Sequence, residues 1–275
     1  MSYKDILVFL DDGKSNAERV KAAFTLAKIH DARLTGVSLA SMKPVHAKVD
    51  NDKAIARMAE KLAQKLVDDF NDTAEEAGLV VDTIMIFGDA TTSGLKMAHY
   101  ARNFDLAILS QPNPARDNFT ILQEFAKQAM LHSGRPLLFV PYIGANKIPF
   151  EHAMIAWDGT PAASRAVHDA LPLLARAKDV MILVVTSRKQ KEIKKDVLVE
   201  GLSYHLRRHD VNTRIVRVDP GTNSVSTVIQ NQIADNDIDM LIMGGYGTPS
   251  LKQKIFGGVT QKLLSSMLIP VLMSH

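Results

Sequence analysis

The sequence predicts an α/β fold in which two similar domains follow each other along the chain. Short apolar segments typical of strands alternate with longer amphipathic segments typical of helices, and the same order of segments occurs twice. The two copies meet at residues 142–149, where glycine and proline interrupt the pattern. Alternating strands and helices indicate a parallel sheet that is covered by helices on both faces.

Each half is therefore predicted to be a Rossmann-like, doubly wound domain of five mostly parallel strands in the order 3-2-1-4-5. We place the domains at residues 1–143 and 150–275. In the first, strands are expected near 5–10, 33–39, 80–87, 105–110 and 136–140, and helices near 15–30, 52–77, 91–102 and 120–132. In the second, strands are expected near 153–157, 180–186, 212–218, 239–244 and 270–273.

Two offsets relate the halves to each other. An offset of 147 residues superposes the apolar run that ends at Asp11 on the run that ends at Asp158. Later in each half the offset is 134, which superposes residues 105–109 on 239–243. The difference falls where the first half has the longer connection, around residues 41–51, and a surface loop is where an insertion is tolerated.

Composition excludes several classes of protein. Hydrophobic residues make up 46% of the chain and charged residues 23%, which is typical of a globular protein with a core. Cysteine is absent, so no disulfide, thiol nucleophile or thiolate metal site is expected. A net charge of +3 gives no reason to expect nucleic acid as a partner. Apolar runs are too short to cross a membrane and no signal peptide is recognisable, so we expect a cytoplasmic protein.

Glycines mark a candidate phosphate site in the second half. In a doubly wound sheet, ligands bind beyond the carboxyl ends of the strands where the strand order reverses. There the fourth strand runs into Gly244 and Gly247, and Gly257 and Gly258 precede a helix expected at Val259–Met267. Glycines let backbone amides approach a phosphate, and the helix N-terminus favours its charge. The alternative is that these are turn glycines with no ligand.

The first half lacks this pattern. At the offset of 134, the four glycines correspond to Ser110, Asn113, Gln123 and Glu124. Pro112 and Pro114 remove amide donors from the same loop. A carboxylate at Glu124 would repel a phosphate. We therefore expect no nucleotide to bind through this loop.

The second half resembles the universal stress protein family. The resemblance rests on Gly244-x2-Gly247-x9-Gly257 between the fourth and fifth strands, and on the opening strand and turn at residues 155–161. It extends over the whole chain as the tandem form of the family. It implies that ATP or AMP, with or without Mg²⁺, binds with its phosphates and ribose at these glycines. The nucleoside would then lie at Asp158 and Gly159, and at Val184 and Val185, which end the second strand.

One position departs from the family pattern. Members that bind nucleotides usually have serine or threonine after the last glycine, where this chain has Gly258. Its backbone amide is retained, but the loss of one hydroxyl donor costs about 0.5–1.5 kcal/mol of binding free energy. The resemblance therefore implies a site in the second half with reduced affinity.

Three functions agree with these observations. The first is a nucleotide-binding stress-response or regulatory protein without fast catalysis, since no general base or metal set is evident near the glycines. Asp158 and Asp169 are the carboxylates near that site in sequence, and neither has an obvious partner. The alternatives are an interaction protein with a relic glycine loop and a slow ATPase. We also expect the halves to pair through their last strands as a pseudo-dimer, with a homodimer left open.

No metal site is expected from the sequence. His205 and His209 are spaced i, i+4 on a helix and could supply half of one, but no third ligand is evident. Arg207 and Arg208 between them would repel a cation. A solvated basic helix face is therefore the favoured interpretation of this segment.

Overall fold

The computed structural model describes residues 2–40, 52–144, 147–186, 195–245 and 258–275. These residues form two compact units, one of residues 2–143 and one that begins at Gly144 and ends at His275. The candidate sites at Gly247 and Gly257 lie outside the described residues. Gly244, Gly258 and the nucleoside residues lie within them.

The first unit alternates strands and helices as the sequence predicts. Its elements are β1 (Asp5–Leu10), α1 (Asn16–His30), β2 (Arg33–Ala40), α2 (Asp52–Glu76), β3 (Val81–Phe87), α3 (Ala90–Ala101), β4 (Leu106–Ser110), α4 (Phe119–Ser133) and β5 (Leu137–Val140). The strands are parallel and pair in the order β3-β2-β1-β4-β5. The predicted α/β class and the strand order 3-2-1-4-5 are confirmed for this domain.

Helices cover both faces of this sheet. On one face, the side chain of Phe70 in α2 lies over Gly36 of β2, so closely that a Cβ on Gly36 would be 2.8 Å from the ring. On the other face, the rings of Phe9 in β1 and Phe125 in α4 have centroids 4.8 Å apart. The apolar residues of β1 and β4 are consequently buried on both sides, which explains why these strands are continuous apolar runs.

The second unit repeats the arrangement. Its elements are β6 (His152–Ala156), α5 (Pro161–Asp169), α6 (Leu171–Leu174), β7 (Asp179–Val185), α7 (Lys195–Arg207), β8 (Thr213–Val218), α8 (Val225–Asp235), β9 (Met240–Gly244), α9 (Gly258–Ser266) and β10 (Val271–Ser274). Its parallel strands pair in the order β8-β7-β6-β9-β10, which is again 3-2-1-4-5 counted within the domain.

Both domains have a point where the strand order reverses. It lies between β1 and β4 in the first domain and between β6 and β9 in the second. The carboxyl ends of these strand pairs are where a doubly wound sheet binds ligands. Among the described helices, none has the length and apolar character needed to cross a lipid bilayer.

Candidate functional site

In the second domain, the turn after β6 presents Asp158 to solvent. The backbone amide and hydroxyl of Thr160 both donate to Asp158 Oδ1, at 3.0 and 2.7 Å. Gly159 between them has φ +73°, a left-handed conformation that glycine adopts without strain. Thr160 then caps α5 by accepting from the Ala163 amide. The turn holds the carboxylate through one oxygen, and Oδ2 has no partner among the described residues.

The end of β7 offers backbone groups beside this aspartate. The Thr186 amide donates to Val218 of β8. Because alternate residues of a strand face opposite neighbours, the N–H and C=O of Val185 face β6 instead. The last residue pair between β6 and β7 is Ala156 with Leu183, so Val185 extends beyond it. These polar groups therefore lie at the same carboxyl edge as Asp158.

Gly244 has a packing role that sequence reasoning missed. Added to Gly244, a Cβ would lie 2.6 Å from the Ala163 amide nitrogen and 2.9 Å from the Ala162 carbonyl carbon. Both neighbours belong to the first turn of α5, so the absence of a side chain lets this helix pack directly against the end of β9. The sequence did contain a sign of this packing, namely Ala162 and Ala163 at the start of α5, because small residues allow a helix to approach a strand closely.

Gly258 begins α9, close to where the sequence predicts this helix to start. Among the described residues, no atom would lie within 4 Å of a Cβ at this position. The first amides of α9 have no partners within the helix, as at any helix N-terminus, and they favour an anion.

The other carboxylate near the site is already engaged. The Ser274 hydroxyl at the end of β10 donates to Asp169 Oδ2 at 2.7 Å. Asp169 therefore has a partner in Ser274 that was not obvious from the sequence. The adjacent backbone is also tied to β10, since Gly245 donates to the Ser274 carbonyl at 2.8 Å and accepts from the His275 ring at 3.0 Å.

The corresponding turn of the first domain has the same local geometry. The Gly13 amide donates to Asp11 Oδ1 at 2.7 Å, which matches the bond from Thr160 to Asp158 at the offset of 147. The surroundings differ, because Asp11 is buried whereas Asp158 is exposed. The second oxygen of Asp11 accepts from the Ser110 hydroxyl at 3.0 Å.

In the first domain, a buried arginine also contacts the second oxygen of Asp11. Arg19 Nη2 lies 3.2 Å from Asp11 Oδ2, and the Arg19 side chain has no exposed surface. Its Nε donates to the Phe9 carbonyl at 2.7 Å and Nη2 donates to Asn16 at 2.8 Å. The corresponding residue of the second domain is Ala166, which is buried and carries no charge. In the first domain the positively charged side chain of Arg19 therefore pairs with the carboxylate of Asp11.

The Asp11 carboxyl remains ionised despite its burial. Burial alone would raise its pKa, but the Arg19 charge and the bonds from Gly13 and Ser110 outweigh that effect and lower the pKa. Arg116 adds to the closure by pairing with Asp12, the next residue. Sequence reasoning missed this network, although a charged residue at position 19 aligned with an alanine was a usable signal.

Comparison with known proteins gives the family of the second domain. Residues 149–275 match the model of the universal stress protein family. The second domain is a universal stress protein domain. The predicted resemblance is thereby confirmed, and the family model covers the turn at Asp158 and both glycine corners. No curated protein sequence is significantly similar to this chain.

Solved universal stress proteins share the fold over nearly the whole chain. One from Archaeoglobus fulgidus has a TM-score of 0.74 at 14% identity, covering 98% of this chain and 94% of that one. A putative one from Pseudomonas aeruginosa has a TM-score of 0.60 at 14% identity, covering 98% and 92%. These likenesses extend to both halves of this chain, in agreement with the tandem form.

A universal stress protein family protein from a plant is also among the similar structures. The protein from Arabidopsis thaliana was solved with AMP bound, and it covers 50% of this chain and 91% of its own length. Its TM-score is 0.32 at 12% identity.

We predict that Gly244→Ala destabilises the second domain without any ligand. The new methyl group would meet backbone atoms of α5, which cannot rotate away, and overpacking of this kind costs about 1–3 kcal/mol. Gly258→Ala is the matched control, and we expect it to change the free energy of unfolding by less than about 1 kcal/mol. Fluorescence of Trp157, the single tryptophan, during urea unfolding measures both. Equal stability of the two variants would contradict the packing role.

We predict that replacing the two matched aspartates changes stability by very different amounts. Asp11→Asn leaves the buried Arg19 without its counter-charge and destabilises the first domain by about 3 kcal/mol or more. Asp158→Asn keeps the turn at an exposed position and changes stability by about 0.5 kcal/mol or less. Hydrogen exchange of residues 5–10 reports on the first domain, and Trp157 fluorescence reports on the second.

The ion pair between Asp11 and Arg19 predicts that the stability of the first domain depends on pH. Because folding lowers the pKa of Asp11, its contribution to stability is present at neutral pH and is lost as the pH falls through the folded-state pKa. The Asp11→Asn variant should lack this part of the acid destabilisation. An unchanged acid profile in that variant would show that the ion pair does not stabilise the fold.

Proposed function

We propose that the protein binds one adenine nucleotide per chain, ATP or AMP, in its second domain, and that it acts as a regulatory or stress-response protein without fast catalysis. The observation that carries the proposal is the contrast between Asp158 and Asp11. Both end the central strand of a domain and both hold the same turn. Only Asp158 has a carboxylate oxygen that remains exposed and without a partner among the described residues.

Two exchanges accompany that difference. Ala166, which is buried and uncharged, replaces the guanidinium of Arg19. Gly244 replaces Ser110, whose hydroxyl bonds to Asp11 in the first domain. A ligand in the first domain would have to displace a buried ion pair, whereas a ligand in the second would meet an available acceptor.

The groups at this edge suit the parts of a nucleotide. The Asp158 carboxylate accepts hydrogen bonds from ribose hydroxyls, which is the usual task of an acidic residue at such an edge. The backbone N–H and C=O of Val185 can pair with the edge of a base. The α9 N-terminus at Gly258, together with Gly244, Gly247 and Gly257, supplies amides for the phosphates.

The carboxylates near this site support nucleotide binding without fast hydrolysis. Phosphoryl transfer requires a positioned metal ion and an oriented water molecule. Asp169 is held by Ser274, and one oxygen of Asp158 is held by the turn. The remaining Asp158 oxygen has no second carboxylate beside it among the described residues. We therefore propose turnover below about 1 s⁻¹, the low end of typical enzymes.

One observation favours a second candidate, an interaction protein with no ligand. The close approach of Ala162 and Ala163 would require Gly244 for packing alone. Retention of that glycine is therefore explained with or without a nucleotide. The distinction therefore rests on Asp158, which has no such packing role among the described contacts.

We predict that calorimetric titration with ATP or AMP gives one site per chain. Gly247→Val or Gly257→Val should abolish binding, because a branched side chain obstructs amides that must approach a phosphate. The matched first-domain changes Asn113→Val and Gln123→Val should leave the dissociation constant unchanged. Two equivalent sites would contradict the assignment to the second domain. Absence of binding to the native chain would favour the interaction protein.

We further predict that Gly258→Ser tightens nucleotide binding by up to about tenfold, because a hydroxyl donor at the helix start is worth about 0.5–1.5 kcal/mol. Among the described residues, no atom lies within 4 Å of a Cβ at this position, so none of them obstructs the side chain. Gly258→Ala is the control, since it adds the Cβ without the hydroxyl and should not tighten binding. If alanine and serine have the same effect, phosphates do not contact this residue.

A further inference from the structure

Three histidines of the second domain lie against one another where α5 meets α7. His168 lies in the last turn of α5, His205 lies in the last turn of α7, and His209 lies one turn further on. The ring centroids of His168 and His205 are 5.1 Å apart, and those of His205 and His209 are 4.8 Å apart. The described residues contain no group of three or more His, Cys, Asp or Glu side chains that could hold a metal ion. We call His168, His205 and His209 the histidine cluster.

The contacts of the histidine cluster suit uncharged rings. His168 Nδ1 donates to the Ser164 carbonyl at 2.8 Å. His205 Nε2 is buried and has no hydrogen-bond partner among the described residues. A neutral His205 ring can carry its single proton on Nδ1, whereas a charged ring carries a proton on both nitrogens. Protonation would therefore leave a buried N–H without an acceptor, which costs free energy in the folded state.

The charged neighbours of His205 are positive. Its own burial and the positive charges of protonated His168, protonated His209 and Arg208 lower the pKa of His205. The Arg208 guanidinium lies over the ring of Tyr204, with its central carbon 5.7 Å from the ring centroid. Histidine is the side chain that changes charge between about pH 5 and pH 8. Acidification through this range therefore gathers positive charges at one point between two helices.

Other charged side chains of the surrounding elements are engaged elsewhere. Three carboxylates have partners outside the cluster: Asp169 of α5 with Ser274, Glu200 of α7 with Arg217, and Asp179 of β7 with Arg214. Arg165 of α5 and Arg207 of α7 each donate to a backbone carbonyl. Asp210 follows His209 but is exposed, so solvent screens its charge. The histidine cluster thus has no counter-charge among these groups.

We propose that the histidine cluster is an acid-sensitive contact between α5 and α7. At neutral pH the uncharged rings pack against one another and join the two helices. As the pH falls, protonation places like charges on rings about 5 Å apart, and their repulsion loosens α7 from α5. The second domain thereby responds to acid through a contact that is separate from the turn at Asp158.

The direction of the effect follows from the His205 ring. Because folding disfavours its charged form, the contribution of His205 to stability is complete above the pKa of an unfolded histidine, about 6.5, and is lost as the pH falls below that value. The acid response expected from Asp11 is different, because it belongs to the first domain and its pKa lies below the ordinary carboxyl value.

The test is urea unfolding of the full chain at pH 7.5 and pH 5.0, followed by the fluorescence of Trp157 in the second domain. We expect the native chain to lose stability between these two pH values. His168→Gln and His205→Gln each replace a titratable ring with a neutral amide. Each should reduce the loss by about twofold or more in the unfolding equilibrium constant, since like charges one helical turn apart destabilise by about that amount.

His168→Gln keeps the test decisive if His205→Gln impairs folding, because His168 is exposed and its replacement should not disturb the core. The matched control is the double variant. When His205→Gln is already present, His168→Gln should have a smaller pH-dependent effect, because the ring that repels it is absent.

Hydrogen exchange locates the response within the chain. After correction for the intrinsic exchange rate, α7 of the native chain should be less protected at pH 5.0 than at pH 7.5, while α4 of the first domain keeps its protection. An acid response of equal size in the native chain and in His168→Gln, or protection of α7 that does not fall at pH 5.0, would overturn the proposal.

Discussion

Both domains depend on one small interaction, an aspartate that ends the central strand and accepts a hydrogen bond from the amide two residues later. Asp11 bonds to Gly13 in this way and Asp158 bonds to Thr160. The bond closes the turn that follows the strand, ahead of α1 in the first domain and of α5 in the second. It uses only one carboxylate oxygen. What the other oxygen meets distinguishes the two domains.

In the first domain that oxygen meets Arg19 and Ser110, and in the second it is exposed. Burying a carboxylate and a guanidinium carries a large desolvation cost, which their mutual attraction and additional hydrogen bonds must offset. Arg19 has such bonds, to the Phe9 carbonyl and to Asn16. In the first domain a structural ion pair therefore lies at the carboxyl edge of the sheet. In the second domain, with Ala166 in place of the arginine, the same edge is accessible at Asp158.

Gly244 shows why a glycine motif alone does not establish a binding site. Its position at the end of β9 is required by the approach of α5, whose backbone lies within 3 Å of where a Cβ would be. The corresponding residue of the first domain, Ser110, has a side chain, and it is used to bond to Asp11. One position in the fold therefore serves helix packing in one domain and closure of the crevice in the other.

The sequence by itself determined the elements, their order and the repeat, because apolar periodicity and turn residues act over a few neighbouring residues. It also predicts that Asp158 and the glycine corners lie at one edge, since strand ends of a parallel sheet share that edge. Only the tertiary structure decided that Arg19 neutralises Asp11, that Ser274 holds Asp169, and that His168 approaches His205. These contacts join residues distant in sequence or depend on the direction of a side chain. No local pattern records them, because they arise only when the helices pack on the sheet.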